Sequence, residues 1–235
     1  MRVRCFALAC GALLLITGCG HRERVAAAPP PPPIAAPNPE PGPEAGAEQV
    51  PPVRPIYSEV GIASWYGPPY NRRRGANGEI YDENAVTAAH RTLPLGSLIR
   101  VTNLTTGQSA MMHITDRGPF VPGRILDLSL GAAKELGVWR AGTARVRIDV
   151  YSTPKPIDYG GRWCVQIGAF PRARTAKKLE EHLAEEYESA SVIEFTGPTG
   201  HWVRIRPENG DKSRAIQIVR TIRIKEGAAY LVRLD

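Results

Sequence analysis

Cysteine is scarce in this 235-residue chain. There are four, at positions 5, 10, 19 and 164, and three of them crowd the N-terminus. A single thiol in the remainder cannot close an internal disulfide, so whatever folds must be held by packing. Cys164 reads as a small, half-buried strand residue. Long apolar runs are also missing. The most apolar stretch, Cys5 to Ile16, is too short to span a bilayer comfortably as a permanent helix. The histidines and carboxylates show no recognised metal-ligand spacing, so neither a metal nor a cofactor is expected. The net charge is +7, yet Arg72-Arg73-Arg74 is the longest basic run. Residues 59–150 carry 11 basic against 8 acidic side chains, and residues 162–235 carry 13 against 10. A balance this dispersed is weak support for nucleic-acid binding.

The N-terminus supplies an address. Arg2 and Arg4 precede the apolar stretch, and small residues close it, the pattern of a secretory signal over residues 1–18. Leu15-Ile16-Thr17-Gly18-Cys19 resembles a lipobox, in which the peptidase cuts before the cysteine and its thiol is lipidated. The resemblance implies that Cys19 becomes an acylated N-terminus. Each buried methylene is worth roughly 0.8 kcal/mol, so several acyl chains anchor stably. Gly20 follows, where lipoproteins kept in the inner membrane usually have aspartate, which favours the outer membrane. Export argues further against a nucleic-acid partner and makes a carboxylate-rich cell wall the more plausible acidic one.

Composition then divides the chain. Residues 19–57 are rich in Pro, Ala, Glu and Gly and hold 12 of the 22 prolines, including the unbroken run Pro29 to Pro33. Such a segment cannot bury enough apolar surface to fold. It is expected to be a disordered, extended linker of about 3 Å per residue, on the order of 100 Å in reach. In residues 58–151 short apolar stretches alternate with turns. Leu98 to Val101, Ala110 to Ile114 and Ala144 to Val150 read as strands, with Val146, Ile148 and Val150 on one face. Asn77-Gly78 and Thr106-Gly107 supply turns, and one helical piece fits Leu128 to Leu136. Many short strands with little helix suggest a compact β-barrel. Residues 152–161, with Pro154, Pro156 and Gly160-Gly161, read as a linker. From 162 to 235, Trp163 to Ala169 alternates. Ala176, Leu179, Leu183 and Tyr187 recur at helical spacing, and Val192 to Phe195 and Trp202 to Arg206 are strand-like. A second helical set is Ala215, Ile218, Val219 and Ile222, before Tyr230, Val232 and Leu234 alternate. The order βαββαβ predicts an α+β sandwich with both helices on one face of an antiparallel sheet.

Several ordered blocks resemble the rare lipoprotein A (RlpA) family. They are Gly61-Ile62-Ala63-Ser64-Trp65-Tyr66-Gly67, Ala76-Asn77-Gly78-Glu79, Thr87-Ala88-Ala89-His90-Arg91-Thr92-Leu93-Pro94, Val101-Thr102-Asn103-Leu104, Asp116-Arg117-Gly118-Pro119 and Arg124-Ile125-Leu126-Asp127-Leu128-Ser129. They cover essentially all of the middle segment. The resemblance implies a six-stranded double-psi β-barrel and an endolytic lytic transglycosylase. Such an enzyme cleaves the MurNAc-GlcNAc bond of peptide-free peptidoglycan and leaves 1,6-anhydroMurNAc ends. The last segment is similar to SPOR domains through Val165-Gln166-Ile167-Gly168-Ala169-Phe170 and its element order. That similarity implies binding of denuded glycan strands and enrichment at the division septum, with divisome proteins as candidate partners.

A transglycosylase needs no water nucleophile, because the muramyl C6 hydroxyl attacks, so one well-placed acid can suffice where ordinary glycosidases use two carboxylates. That acid must hold a proton near neutral pH, which takes burial or a neighbouring carboxylate. The resemblance puts the active-site roles on Glu79, His90 and Asp116. Asp116 would be the general acid, Glu79 a second carboxylate, and His90 would orient a carboxylate or bind sugar. Each has a plainer reading. Asp116 could cap a turn, Glu79 could be an exposed turn residue, and His90 a satisfied core histidine. Asp127 reads as a partner of Arg124. Tyr66 and Trp65 could stack on sugar or fill the core. In the last segment, if Val165 and Ile167 face the helices, then Cys164 and Gln166 face away. Trp202, Arg204 and Arg206 then share that outer face. An aromatic plate, an amide and two guanidiniums suit a glycan. The alternative is a solvated sheet face with one exposed tryptophan. A non-catalytic, expansin-like glycan binder and a structural lipoprotein that organises the septum are the rival functions.

Overall fold

The computed structural model describes residues 54–67, 70–194 and 200–235. The expected signal, Cys19 and the proline-rich stretch up to residue 53 lie outside the described residues, as does Phe195. Among the described residues no helix is long and apolar enough to cross a membrane.

Six strands form a closed barrel: β1 (Tyr57–Trp65), β2 (Thr87–His90), β3 (Leu98–Asn103), β4 (Ser109–Asp116), β5 (Arg124–Leu128) and β6 (Thr143–Ser152). Their order around the ring is β1-β5-β2-β4-β3-β6. The pairs β1–β5 and β2–β4 are parallel and the other four antiparallel. This is the double-psi barrel that the resemblance implied. Alternation decides what fills it. Val146, Ile148 and Val150 of β6 are wholly buried, together with Ile99, Val101, Leu126 and Leu128. The three apolar stretches read as strands are β3, β4 and β6, the last from its alternation, whereas β1 was not read as a strand. By contrast β2 and β5 are too short for a period-2 signal and are held by their neighbours on both sides. The helical piece is α1 (Leu130–Glu135), shorter than expected. Ser129 caps it, its Oγ accepting from the Ala132 N–H at 3.1 Å.

The C-terminal module has the predicted βαββαβ order. It comprises β7 (Trp163–Phe170), α2 (Ala173–Ala184), β8 (Ser191–Glu194), β9 (His201–Ile205), α3 (Lys212–Thr221) and β10 (Ala228–Arg233), with a 3₁₀ turn at Glu208–Gly210. The sheet order is β10-β7-β9-β8, and all three pairings are antiparallel. Val165, Ile167, Val203 and Ile205 face α2 and α3, and pack with Ala176, Leu183, Ala215 and Ile218.

The second face of this sheet departs from expectation. Cys164, Gln166 and Trp202 do point away from the helices, but they are not free. Gln166 is 0% and Trp202 1% exposed. Cys164, Trp202, Tyr230 and Val232 form a separate apolar cluster, and Phe120, from the loop after β4, packs against it. Arg204 is half-buried and only Arg206 is exposed. Alternation within a strand reports which side a residue takes. It carries no information about a distant loop that covers that side.

Candidate functional site

A cleft of about 120 Å³ opens at the end of β4, lined by Gly75, Asn77, Glu79, Tyr81, Thr87 and Asp116 among others. Its outer wall is the turn at residues 74–80. Gly75 and Glu79 close the turn through an N–H to carbonyl bond of 2.8 Å, and Gly78 takes φ = 88°, a conformation that costs glycine least. Two further bonds fasten the turn to β4. The Asn77 N–H donates to the Thr115 carbonyl at 3.2 Å, and the Ala76 N–H donates to Asp116 Oδ1 at 3.0 Å. Gly75 permits this approach, because a Cβ there would lie 3.3 Å from the Thr115 oxygen.

Glu79 and Asp116 therefore share one cleft in different surroundings. Glu79 is exposed, and its Oε2 accepts from Asn77 Nδ2 at 2.7 Å. Asp116 is recessed. Burial raises its carboxyl above the ordinary range, against the pull of the Arg117 and Ala76 N–H groups on its oxygens and of the Arg117 charge. The Arg117 N–H donates to Oδ1 at 2.7 Å, so Asp116 also caps the turn that follows it. The Arg117 guanidinium turns elsewhere, donating to the carbonyls of His90 at 2.9 Å and Leu93 at 2.7 Å.

His90 is not in this cleft. It ends β2 with 4% exposure. Its Nδ1 accepts the N–H groups of Thr92 at 3.2 Å and Leu93 at 2.9 Å. Nδ1 is thus the acceptor, and Nε2, 3.2 Å from Glu59 Oε2, carries the proton. Burial lowers the His90 pKa, with Glu59 opposing. The ring is a neutral, satisfied histidine that does orient a carboxylate, though the one it orients is Glu59. That hydrogen bond in turn holds the Glu59 carboxyl below its usual range.

A second carboxylate comes from a residue read as structural. The register places Asp116 of β4 beside Ala89 of β2, Ala89 beside Asp127 of β5, and Asp127 beside Ser64 of β1. The two acids therefore stand on one row, separated by the small buried Ala89. Asp127 is not paired directly with Arg124. The Ser64 hydroxyl lies between them, donating to Asp127 Oδ1 and accepting from Arg124 Nη1 at 3.0 Å. Burial raises the Asp127 carboxyl too, and the negative charge of Asp116 adds to the rise. Tyr66 sits beside both acids. Burial first, then Asp116 and Asp127, push its hydroxyl well above the ordinary range. Its ring packs on Tyr70 and Tyr81, at centroid distances of 5.7 and 5.4 Å, and Trp65 joins the barrel core. The sequence holds one clue to the Asp127 row: Asp127 lies between Leu126 and Leu128, which alternation sends inward. Its alignment with Asp116 follows from a non-sequential pairing.

No group of three His, Cys, Asp or Glu side chains among the described residues is arranged to hold a metal ion. Two family profiles match the chain, one described as lytic transglycolase over residues 58–148 and the SPOR domain over residues 159–233. Several similar relatives are named as endolytic peptidoglycan transglycosylases RlpA. The Vibrio cholerae protein is 39% identical over 61% of this chain and 57% of its own length. The Pseudomonas aeruginosa (strain UCBPP-PA14) protein is 53% identical over 67% and 47%. A Synechocystis protein named as a probable member is 56% identical over 38% and 28%. The chain thus spans between about a quarter and three-fifths of the length of these relatives. With its double-psi barrel matching the lytic transglycolase profile and its C-terminal module the SPOR profile, the chain is similar to proteins of the RlpA family.

Proposed function

We propose that the protein is an endolytic peptidoglycan transglycosylase acting on peptide-free glycan strands. One observation carries this reading: Asp116 is a recessed carboxyl with a raised pKa, opening into a cleft that also holds Glu79. Asp116 gives its proton to the leaving GlcNAc oxygen as the muramyl C1–O bond breaks. The muramyl C6 hydroxyl attacks C1 and returns its proton to the Asp116 carboxylate, so that the 1,6-anhydro ring closes and the acid is regenerated. The developing positive charge at C1 is met by a second carboxylate. Glu79 fills that role from the cleft wall, and Asp127 is the alternative on the same strand row. His90 acts at a remove, fixing Glu59 and the start of the 91–94 turn.

The C-terminal sheet is the second half of the proposal. Gln166, Trp202, Arg204 and Arg206 share a face whose chemistry suits glycan, with Tyr66 a further contact on the barrel. Cys19 carries the lipid that tethers the chain to the outer membrane, and the proline-rich residues between it and the barrel strand that starts at Tyr57 give it reach toward the septum. Digestion of denuded glycan, followed by mass spectrometry, tests the reaction. Products ending in 1,6-anhydroMurNAc are expected. Ordinary reducing ends would indicate a hydrolase, and binding without any product would leave the expansin-like reading standing.

A further inference from the structure

The sheet face assigned above to glycan is occupied by the protein itself. Phe120 lies with its ring centroid 5.0 Å from Trp202 and 5.7 Å from Tyr230, the two large aromatic plates of that face. Its loop leaves β4 immediately after Asp116 and is held at several points. Arg91 Nη1 donates to the carbonyls of Pro119 and Arg124, both at 2.7 Å, which pins the two ends of the loop. The Arg91 guanidinium also lies 5.8 Å from the Tyr230 ring centroid. Arg117 Nη2 donates to the Asp235 carbonyl at 2.7 Å, so the residue next to the proposed acid touches the end of the C-terminal module. The Arg233 N–H donates to the Arg91 carbonyl at 3.0 Å.

An independent sign comes from Gln166. Its Oε1 accepts from Arg204 Nη2 at 2.9 Å, but its Nε2 is buried with no hydrogen-bond partner. A buried donor left in this state is costly. A hydroxyl or acetamido oxygen on that face would satisfy it, and the carbon atoms of Phe120 cannot.

We propose that the 117–124 loop is a latch. Phe120 takes the stacking place of the glycan on the C-terminal sheet. Capture of a glycan by that sheet therefore releases the loop that carries the residues following Asp116. The idea rests on the reading of this sheet face as glycan-binding, and it adds that the face and the cleft are used in sequence rather than independently. A latch that must open lowers the apparent affinity by the fraction of molecules found open.

The test uses the full chain and peptide-free glycan strands. Phe120→Ala is expected to bind the strands roughly tenfold more tightly than the parent. Arg204→Ala is expected to weaken binding in both backgrounds. In the unsubstituted protein, added glycan is expected to speed amide hydrogen exchange across 117–124, a readout that needs no variant to fold. Suppose Phe120→Ala binds no better than the parent and the exchange does not change, while Arg204→Ala still weakens binding. The latch is then wrong and the binding face stands. If neither the parent nor Phe120→Ala binds, or Arg204→Ala changes nothing, the face itself was misassigned and the latch falls with it.

Discussion

In the barrel every strand has two hydrogen-bonded neighbours, and its apolar side chains turn into one closed interior. In the C-terminal module β8 and β10 are edges, and the sheet has two faces to cover. Closure lets the barrel bury Ile99, Leu126, Val146 and Ile148 completely while its rim keeps a polar row, with Asp116 and Asp127 half-sheltered on adjacent pairings. The open sheet uses α2 and α3 for one face, and for the other it relies on Phe120 from outside the module. A closed barrel can thus keep a functional rim at little cost to its core. An open sheet with an aromatic second face must have that face covered.

Four measurements test this contrast. The largest expected effect is on the barrel rim. Asp116→Asn should lower the rate of glycan cleavage roughly 10²–10⁴-fold, with the melting temperature retained and Glu79→Gln less damaging. An equal loss in both variants would mean that the two carboxylates act as a unit. In the C-terminal core, Trp163 is 1% exposed and donates its indole N–H to the Gly160 carbonyl at 2.8 Å. Trp163→Ala should cost about 3–5 kcal/mol. Calorimetry should show the loss in a transition of the C-terminal module that leaves the barrel transition in place. A single transition that shifts as a whole would show that the Phe120 contact welds the modules rather than latching them.

Ser129 is a smaller barrel test. It caps α1 and also donates to the Ala85 carbonyl at 2.5 Å, and Ser129→Ala should cost about 1–2 kcal/mol in denaturant unfolding. The smallest effect is a pH dependence. The folded-state pKa of Asp127 is raised by burial, so the folded chain holds this proton more tightly than the unfolded chain. The stability this contributes is full below the ordinary carboxylate range. It is lost as pH rises through the raised value. Asp127→Asn keeps an acceptor for Ser64 and removes the charge. It should therefore melt higher than the parent at pH 7, and the advantage should shrink toward pH 4. An advantage that grew on acidification would reverse the assigned direction.

Much of the architecture was legible in the sequence. The short apolar stretches of β3 and β4, the alternation of β6 and the helical spacings of α2 and α3 are local signals, and each marks an element that forms there. Three barrel strands were not legible in this way: β1 was not read as a strand, and Thr87–His90 and Arg124–Leu128 are short and defined by their partners. The site was half legible. Asp116 and Glu79 do meet in one cleft. His90, alike in chemistry to many catalytic histidines, turned to Glu59 instead, because two backbone N–H groups occupy its Nδ1. Asp127 looked like an ion-pair residue and stands on the carboxylate row with Ser64 between it and Arg124.

The lipobox-like Cys19 segment, the proline-rich composition of residues 19–57, the two module types and the candidate residues were readable from residue order alone, because these depend on composition and on spacing within single elements. Long-range pairing is what shelters Asp116 beside Ala89 and Asp127 and turns His90 to Glu59. A loop contact of the same kind lays Phe120 over Trp202. Each of those facts depends on strand pairings or loop contacts between residues far apart in the chain, and the burial that shifts a pKa or hides a sheet face arises from such contacts.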